Sequence, residues 1–267
     1  MIDGLAAITF DFGNTLVPFP AGPDGSVVRQ TAECAADVVG CPVDYFIRLW
    51  AEERLRQFTE EVPEGREAVL DVRVMRILAR LRGRPAPPPG ARWDDGALVE
   101  SASPAEVAAI LSAYADAFVR NTPVPPAIGP MLARLARAHR LGVISNWPLS
   151  LSIHRFLEAA GWACHLSAVV VSHRVGVIKP RPEIFEIAAS ELGVVSGPGI
   201  LHVGDDPGAD VVGAQKVGWR TAWVRVKPED SPLPTATPAP DARPDLTMDS
   251  VLDLEGALGL PDGRRVK

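Results

Sequence analysis

A chain of 267 residues, 47% of them hydrophobic, can bury an ordinary core and a sizeable insertion, which excludes a wholly disordered protein. Its net charge of −6 and the lack of a dense Lys/Arg block exclude the electrostatic footprint of a nucleic-acid or anionic-membrane binder, so a small anionic substrate needs a local positive site. No basic segment precedes the first apolar stretch, no apolar run reaches bilayer length, and Cys34, Cys41 and Cys164 match no zinc or redox spacing; a cytoplasmic chain with reduced, packing cysteines is expected.

Ala6-Ala7-Ile8-Thr9-Phe10 is a short apolar β-type run that stops at Asp11, before the turn-favouring Gly13 and Asn14. After Pro18 and Pro20 the period becomes helical: Val28, Ala32, Ala35 and Val39 share one face, and Leu70, Val74, Ile77, Leu78 and Leu81 share another. Ser103-Pro104-Ala105-Glu106 has the spacing of a capping box with Pro at the first helical position, and opens a further helix through Phe118. Residues 18–122 are therefore expected to be all-helical, interrupted by the turn-rich stretch 84–96.

From Pro125 the pattern alternates. Helices are expected near 128–138, 149–160, 183–192 and 209–217, with strands at 141–144, 168–171, 200–203 and 221–224. Residues 227–243, rich in proline, form an irregular excursion before a last strand at 245–247 and a helix over 251–258. Such repetition predicts an α/β fold: a Rossmann-like, doubly wound parallel sheet from residues 1–17 and 123–267, with an all-helical domain inserted over 18–122.

In such a sheet ligands bind beyond the carboxyl ends of the strands. The polar residues there are Asp11, Ser145 with Asn146, Lys179, and Asp205 with Asp206 and Asp210. A carboxylate nucleophile, hydroxyl and amide donors, one ammonium and further carboxylates suit a hard cation with an anionic group; phosphate with magnesium fits best.

Asp11-Phe12-Gly13-Asn14-Thr15-Leu16, then Ser145, Lys179-Pro180, and Gly204-Asp205-Asp206 with Asp210, resemble the ordered motifs of the haloacid dehalogenase-like superfamily, and the helical insertion resembles its C1-type cap. The resemblance implies a Mg²⁺-dependent phosphatase-type hydrolase acting on a small phosphorylated or otherwise anionic substrate. Asp11 would form an aspartyl-phosphate. Ser145 and Asn146 would bind the phosphoryl group and Lys179 would neutralise charge. Asp11, the Gly13 carbonyl, Asp205, and Asp206 or Asp210 would hold the metal. A homo-oligomer is compatible with the sequence but not inferred from it.

One position departs from the family's phosphatases, which usually carry a second aspartate two residues after the nucleophile as general acid/base; here it is Gly13. That catalysis is typically worth about 10²- to 10⁴-fold, on the order of 3 to 5 kcal/mol of barrier. Slow or substrate-restricted turnover is expected, with His173 and His154 as candidate replacement acids and Gly13→Asp raising activity if the acid is limiting. Gly13 also opens two alternatives, a 2-haloacid dehalogenase-type hydrolase working through an Asp11 ester and a non-catalytic binding protein of this fold. The crowded carboxylates of the fourth motif favour the metal-dependent reading.

Overall fold

The computed structural model describes residues 4–88, 90–98, 102–235, 239–240 and 242–260; the end of the expected core, 261–267, lies outside them. β1 (Ala7–Phe10) is buried at all four positions, as a central strand covered on both faces must be. It pairs in parallel with β2 (Arg140–Ser145) and β4 (Ile200–Gly204). With β3 (Ala168–Val171), β5 (Arg220–Val224) and β6 (Leu246–Met248), the six-stranded sheet runs β3-β2-β1-β4-β5-β6, parallel throughout. The chain winds outward from β1 in one direction and then resumes at β4 on its other side, so the strand order reverses at the β1–β4 junction, where a doubly wound sheet opens its binding crevice.

Between β1 and β2 the chain is helical: α1 (Pro23–Val39), α2 (Val43–Glu60), α3 (Leu70–Leu81), α4 (Asp95–Leu98) and α5 (Pro104–Asn121). The sheet is then flanked by α6 (Ile128–Leu135), α7 (Ser150–Ala159), α8 (Ser172–Val175), α9 (Pro182–Leu192), a π-helical turn Pro207–Val212, α10 (Gly213–Lys216) and α11 (Leu254–Ala257). At the start of α5 the Ser103 backbone N–H donates to Glu106 Oε2 (3.0 Å), the return arm of the expected capping box.

Two elements differ from the sequence pattern. α2 lies within the span expected to be helical but shows no stripe of its own, because its buried face mixes Phe46, Leu49 and Trp50 with Glu53 and Gln57. The expected helix over 209–217 starts instead as the π-turn. Gly213 comes so close to Phe185 that a Cβ there would lie 2.8 Å from its ring.

An aromatic cluster joins the helical insertion to the sheet. Phe118 of α5 packs on Trp147 (centroids 5.2 Å apart), and Phe12 meets Phe156 of α7 edge-on at 5.3 Å. Such pairs add about 0.5–1.5 kcal/mol each beyond area burial. The cysteines are unpaired, but only Cys41 is buried; Cys164 is exposed, since its turn Ala163–His165 buries nothing. Among the described residues no helix is long and apolar enough to cross a membrane.

Candidate active site

Strand pairing continues one residue past β1: the Asp11 N–H donates to the Val203 carbonyl (2.8 Å), fixing Asp11 at the junction with β4. The turn that follows puts Asn14 in the left-handed region (φ 57°), which asparagine tolerates better than most residues. Its side chain holds the turn by accepting from Phe19 N (3.2 Å) and donating to Ser231 Oγ (3.0 Å).

Lys179 reaches the same point. Its buried Nζ donates to Asp11 Oδ1 (2.6 Å), Asp210 Oδ1 (2.7 Å) and the Ile144 carbonyl (2.8 Å), so all its protons are used. Asn146 positions that lysine by its backbone, accepting from Lys179 N at 2.8 Å and donating to Lys179 O at 3.1 Å. Both ends of the amide expected to bind substrate are thus spent on the Lys179 backbone. Ser145, at the end of β2, is buried and lines the cavity above Asp11.

Asp210 is the hub beneath. Its Oδ2 accepts from Asp206 N (2.9 Å), and Oδ1 accepts from His202 Nε2 (3.2 Å). Burial keeps His202 from charging, so with its proton on Nε2 the Nδ1 accepts from the Thr9 hydroxyl (2.8 Å). Gly204 permits this approach, for a Cβ there would fall 2.2 Å from the Asp210 carboxyl. Asp206 lies to one side: its Oδ1 caps the π-turn by accepting from Gly208 N (2.8 Å) and Ala209 N (2.9 Å).

Asp11, Asp205 and Asp210 converge, with one oxygen from each lying within 4.8 Å of the others. Among the described residues Lys179 is the only buried ammonium against them, and Asp205 is approached at 3.5 Å by Thr15 Oγ1 and by the half-buried Lys227 Nζ. The charges divide unequally. Against its own burial, Asp210 is held well below the usual carboxylate range by Lys179 and His202. Asp11, although bonded to Lys179, is pushed up to about 8 by burial and the neighbouring carboxylates, and Asp205 to about 6 by burial and Asp210. A donor set of hard oxygens with surplus negative charge fits a divalent cation.

The cavity over this edge, about 230 Å³, is walled by both halves of the molecule. The insertion supplies Trp50, Arg73 and Tyr114, and the β5–β6 excursion supplies Leu233. Leu233 lies over Gly13, where an added Cβ would come within 2.6 Å of its Cδ1. A side chain at position 13 would therefore require Leu233, far along the sequence, to move aside. Trp147 both lines the cavity and packs in the aromatic cluster. Neither His173 nor His154 lines it; His173 bonds to Asp71 (2.7 Å) and Ser150 (3.2 Å) instead.

Sequence reasoning brought Asp11, Ser145, Lys179, Asp205 and Asp210 to this edge, but missed His202 as the partner of Asp210, Thr15, Lys227 and the whole far wall. His202 carried one usable signal, an imidazole in a strand next to the one ending at Asp11. The far wall carried none.

A family model described as a haloacid dehalogenase-like hydrolase matches residues 5–218. Phosphoserine phosphatase of Thermus thermophilus is 36% identical over 140 residues, 50% of this chain and 52% of the phosphatase, so the chain spans about half the length of that relative. Glyceraldehyde 3-phosphate phosphatase of Methanopyrus kandleri is 28% identical over 233 residues, covering 83% of this chain and 84% of that one. Among solved structures, a 2-haloacid dehalogenase of Pseudomonas syringae superposes with a TM-score of 0.62 at 24% identity, covering 96% of this chain and 98% of that one, a likeness of fold.

Proposed function

This chain belongs to the haloacid dehalogenase-like hydrolases, and from that membership we propose that it is a magnesium-dependent phosphatase that works through an aspartyl-phosphate on Asp11 and favours leaving groups needing little protonation. The observation that carries this is the charge imbalance at the sheet edge: three converging carboxylates share one buried ammonium. Asp11 and Asp205, with the Gly13 carbonyl as the resemblance implies, would hold the ion. Asp210 is drawn toward Lys179, and Asp206 is occupied as a cap. Bound there, magnesium supplies charge neutralisation on the phosphoryl oxygens.

The protein's own groups divide the remaining work. Lys179 holds Asp11 Oδ1, which leaves Oδ2 to attack phosphorus as the bond to the leaving oxygen breaks. The ammonium also offsets negative charge as it builds on the transferring group. Ser145, lining the cavity beside Asp11, is placed to bind a phosphoryl oxygen. Water then cleaves the acyl phosphate, releasing phosphate and restoring the carboxylate. With Leu233 over Gly13, no side chain at that position protonates the leaving oxygen, which departs as an anion. The insertion, here in the role of the family's cap, excludes bulk water from this exchange. The phosphatase names among the relatives agree with this chemistry.

The test is hydrolysis of an aryl phosphate, with magnesium and with excess chelator, in the native protein and in Asp11→Asn. Magnesium-dependent release, lost in Asp11→Asn, is expected. An active Asp11→Asn protein removes the covalent mechanism. Metal-independent halide release from a 2-haloacid, without phosphate release, would transfer the site to dehalogenation.

A further inference from the structure

Arg73, on α3, is buried to 3% exposure and lines the same cavity as Asp11, yet among the described residues no carboxylate bonds to it directly; Glu67 and Asp24 act on it only at longer range. Its Nε donates to Gln57 Oε1 (2.8 Å) and its Nη2 to the Ala68 carbonyl (3.3 Å), and the guanidinium lies over Trp50, 5.2 Å from the ring centroid. These contacts fix its plane and engage Nε and Nη2, while Nη1 has no hydrogen-bond partner among the described residues. The cavity's acids on that side are already engaged: Asp24 faces Arg54 at 3.8 Å, and Glu67 accepts from Ser172 Oγ and from Ala68 N. Burial lowers the Arg73 pKa to about 10, which still leaves a cation at neutral pH. A desolvated guanidinium hydrogen-bonded only to neutral acceptors, with Glu67 and Asp24 acting from a distance, is costly, and an anion arriving in the cavity relieves that cost. A second polar atom, Thr122 Oγ1, is buried in the cavity lining with no hydrogen-bond partner.

We propose that Arg73 anchors a carboxylate at the far end of the substrate, so that the substrate class is small phosphate esters carrying a carboxylate remote from the phosphoryl group. The assignment rests on the phosphatase reading for the near end of the cavity. A single charge suits the site better than a second phosphate, because only one edge of the guanidinium is open and Asp24 and Glu67 line the same cavity. Aromatic walls at Trp50, Tyr114 and Phe118 take the apolar part between the two anions.

The test measures, by calorimetry on the magnesium-loaded full chain, the affinities of a chain-length series of ω-carboxyalkyl phosphonates against their ω-carboxamide isosteres, with turnover of the matching phosphates alongside. Native protein is expected to prefer the carboxylate by on the order of tenfold or more at the best length. Arg73→Gln brings that ratio close to one and Arg73→Lys retains part of it. Because the ratio is internal to each variant, a smaller folded fraction does not change it. No preference in the native protein, a preference that survives Arg73→Gln, or no binding of either series overturns the assignment. A carboxylate preference without hydrolysis of the matching phosphates leaves the Arg73 subsite standing and removes the phosphatase reading.

Discussion

The two walls of the cavity are built by opposite means. At the sheet edge each functional side chain follows a strand, and the strands' parallel pairing brings Asp11, Ser145, Lys179 and Asp205 together whatever the surface does. The facing wall draws Trp50 from α2, Arg73 from α3, Tyr114 from α5 and Leu233 from the excursion, and no common element places them. The first wall over-determines its charges through a chain of bonds from Thr9 through His202 and Asp210 to Lys179 and Asp11. The second leaves Arg73 with no directly bonded carboxylate among the described residues. On the proposed reading, chemistry belongs to the sheet edge and selectivity to the wall whose residues can change without disturbing the sheet.

The severest way to break the first wall is Lys179→Met. It strands the buried Asp11 and Asp210 without their ammonium, a loss on the order of 3–5 kcal/mol. Urea unfolding should show the midpoint fall at neutral pH, with turnover gone; an unchanged midpoint would mean that the carboxylates do not depend on Lys179.

A second experiment crosses the walls. Gly13→Asp alone should gain little on alkyl phosphates, because its side chain meets Leu233. Combined with Leu233→Ala, which clears the space, it should gain on the order of 10- to 100-fold, toward the lower range of general-acid catalysis. The gain should be smaller on aryl phosphates, whose leaving groups need no proton. Equal rates for the single and double variants would show that Leu233 is no obstacle and return the matter to the acid alone.

The mildest test follows pH. Without metal, the folded-state pKa values of Asp11 and Asp205, raised to about 8 and about 6, mean that the native state holds protons the unfolded chain has released. Their contribution to stability is therefore present at low pH and is lost as pH rises from the ordinary carboxylate range through about 8. Magnesium reverses the preference by binding the ionised pair, so the thermal midpoint gained on adding it should be several degrees larger at pH 8.5 than at pH 5.5. Equal shifts at both pH values would place the ion away from Asp11.

Much of the first wall was legible beforehand. The apolar run ending at Asp11, and the later runs ending at Ser145 and before Asp205, needed only strand periodicity and the rule that parallel strands present their carboxyl ends together. α2 fell within the span expected to be helical but was not delimited on its own, because Glu53 and Gln57 sit on its buried face. The replacement acids offered by histidine chemistry failed because His173 faces Asp71 and not the cavity, a fact about side-chain direction that no spacing contains.

What the sequence determined by itself is the parallel sheet and the gathering of Asp11, Ser145, Lys179 and the fourth-motif acids at its carboxyl edge, since these follow from local period and chain connectivity; that Lys179 serves Asp11 was implied by the family resemblance. Only the tertiary structure decided that Asn146 clamps Lys179, that His202 supports Asp210, that Leu233 lies over Gly13 and that Arg73 faces the cavity with no carboxylate bonded to it among the described residues. Those contacts join residues tens to hundreds of positions apart. They depend on packing distances and the direction of each side chain, which a linear pattern does not encode.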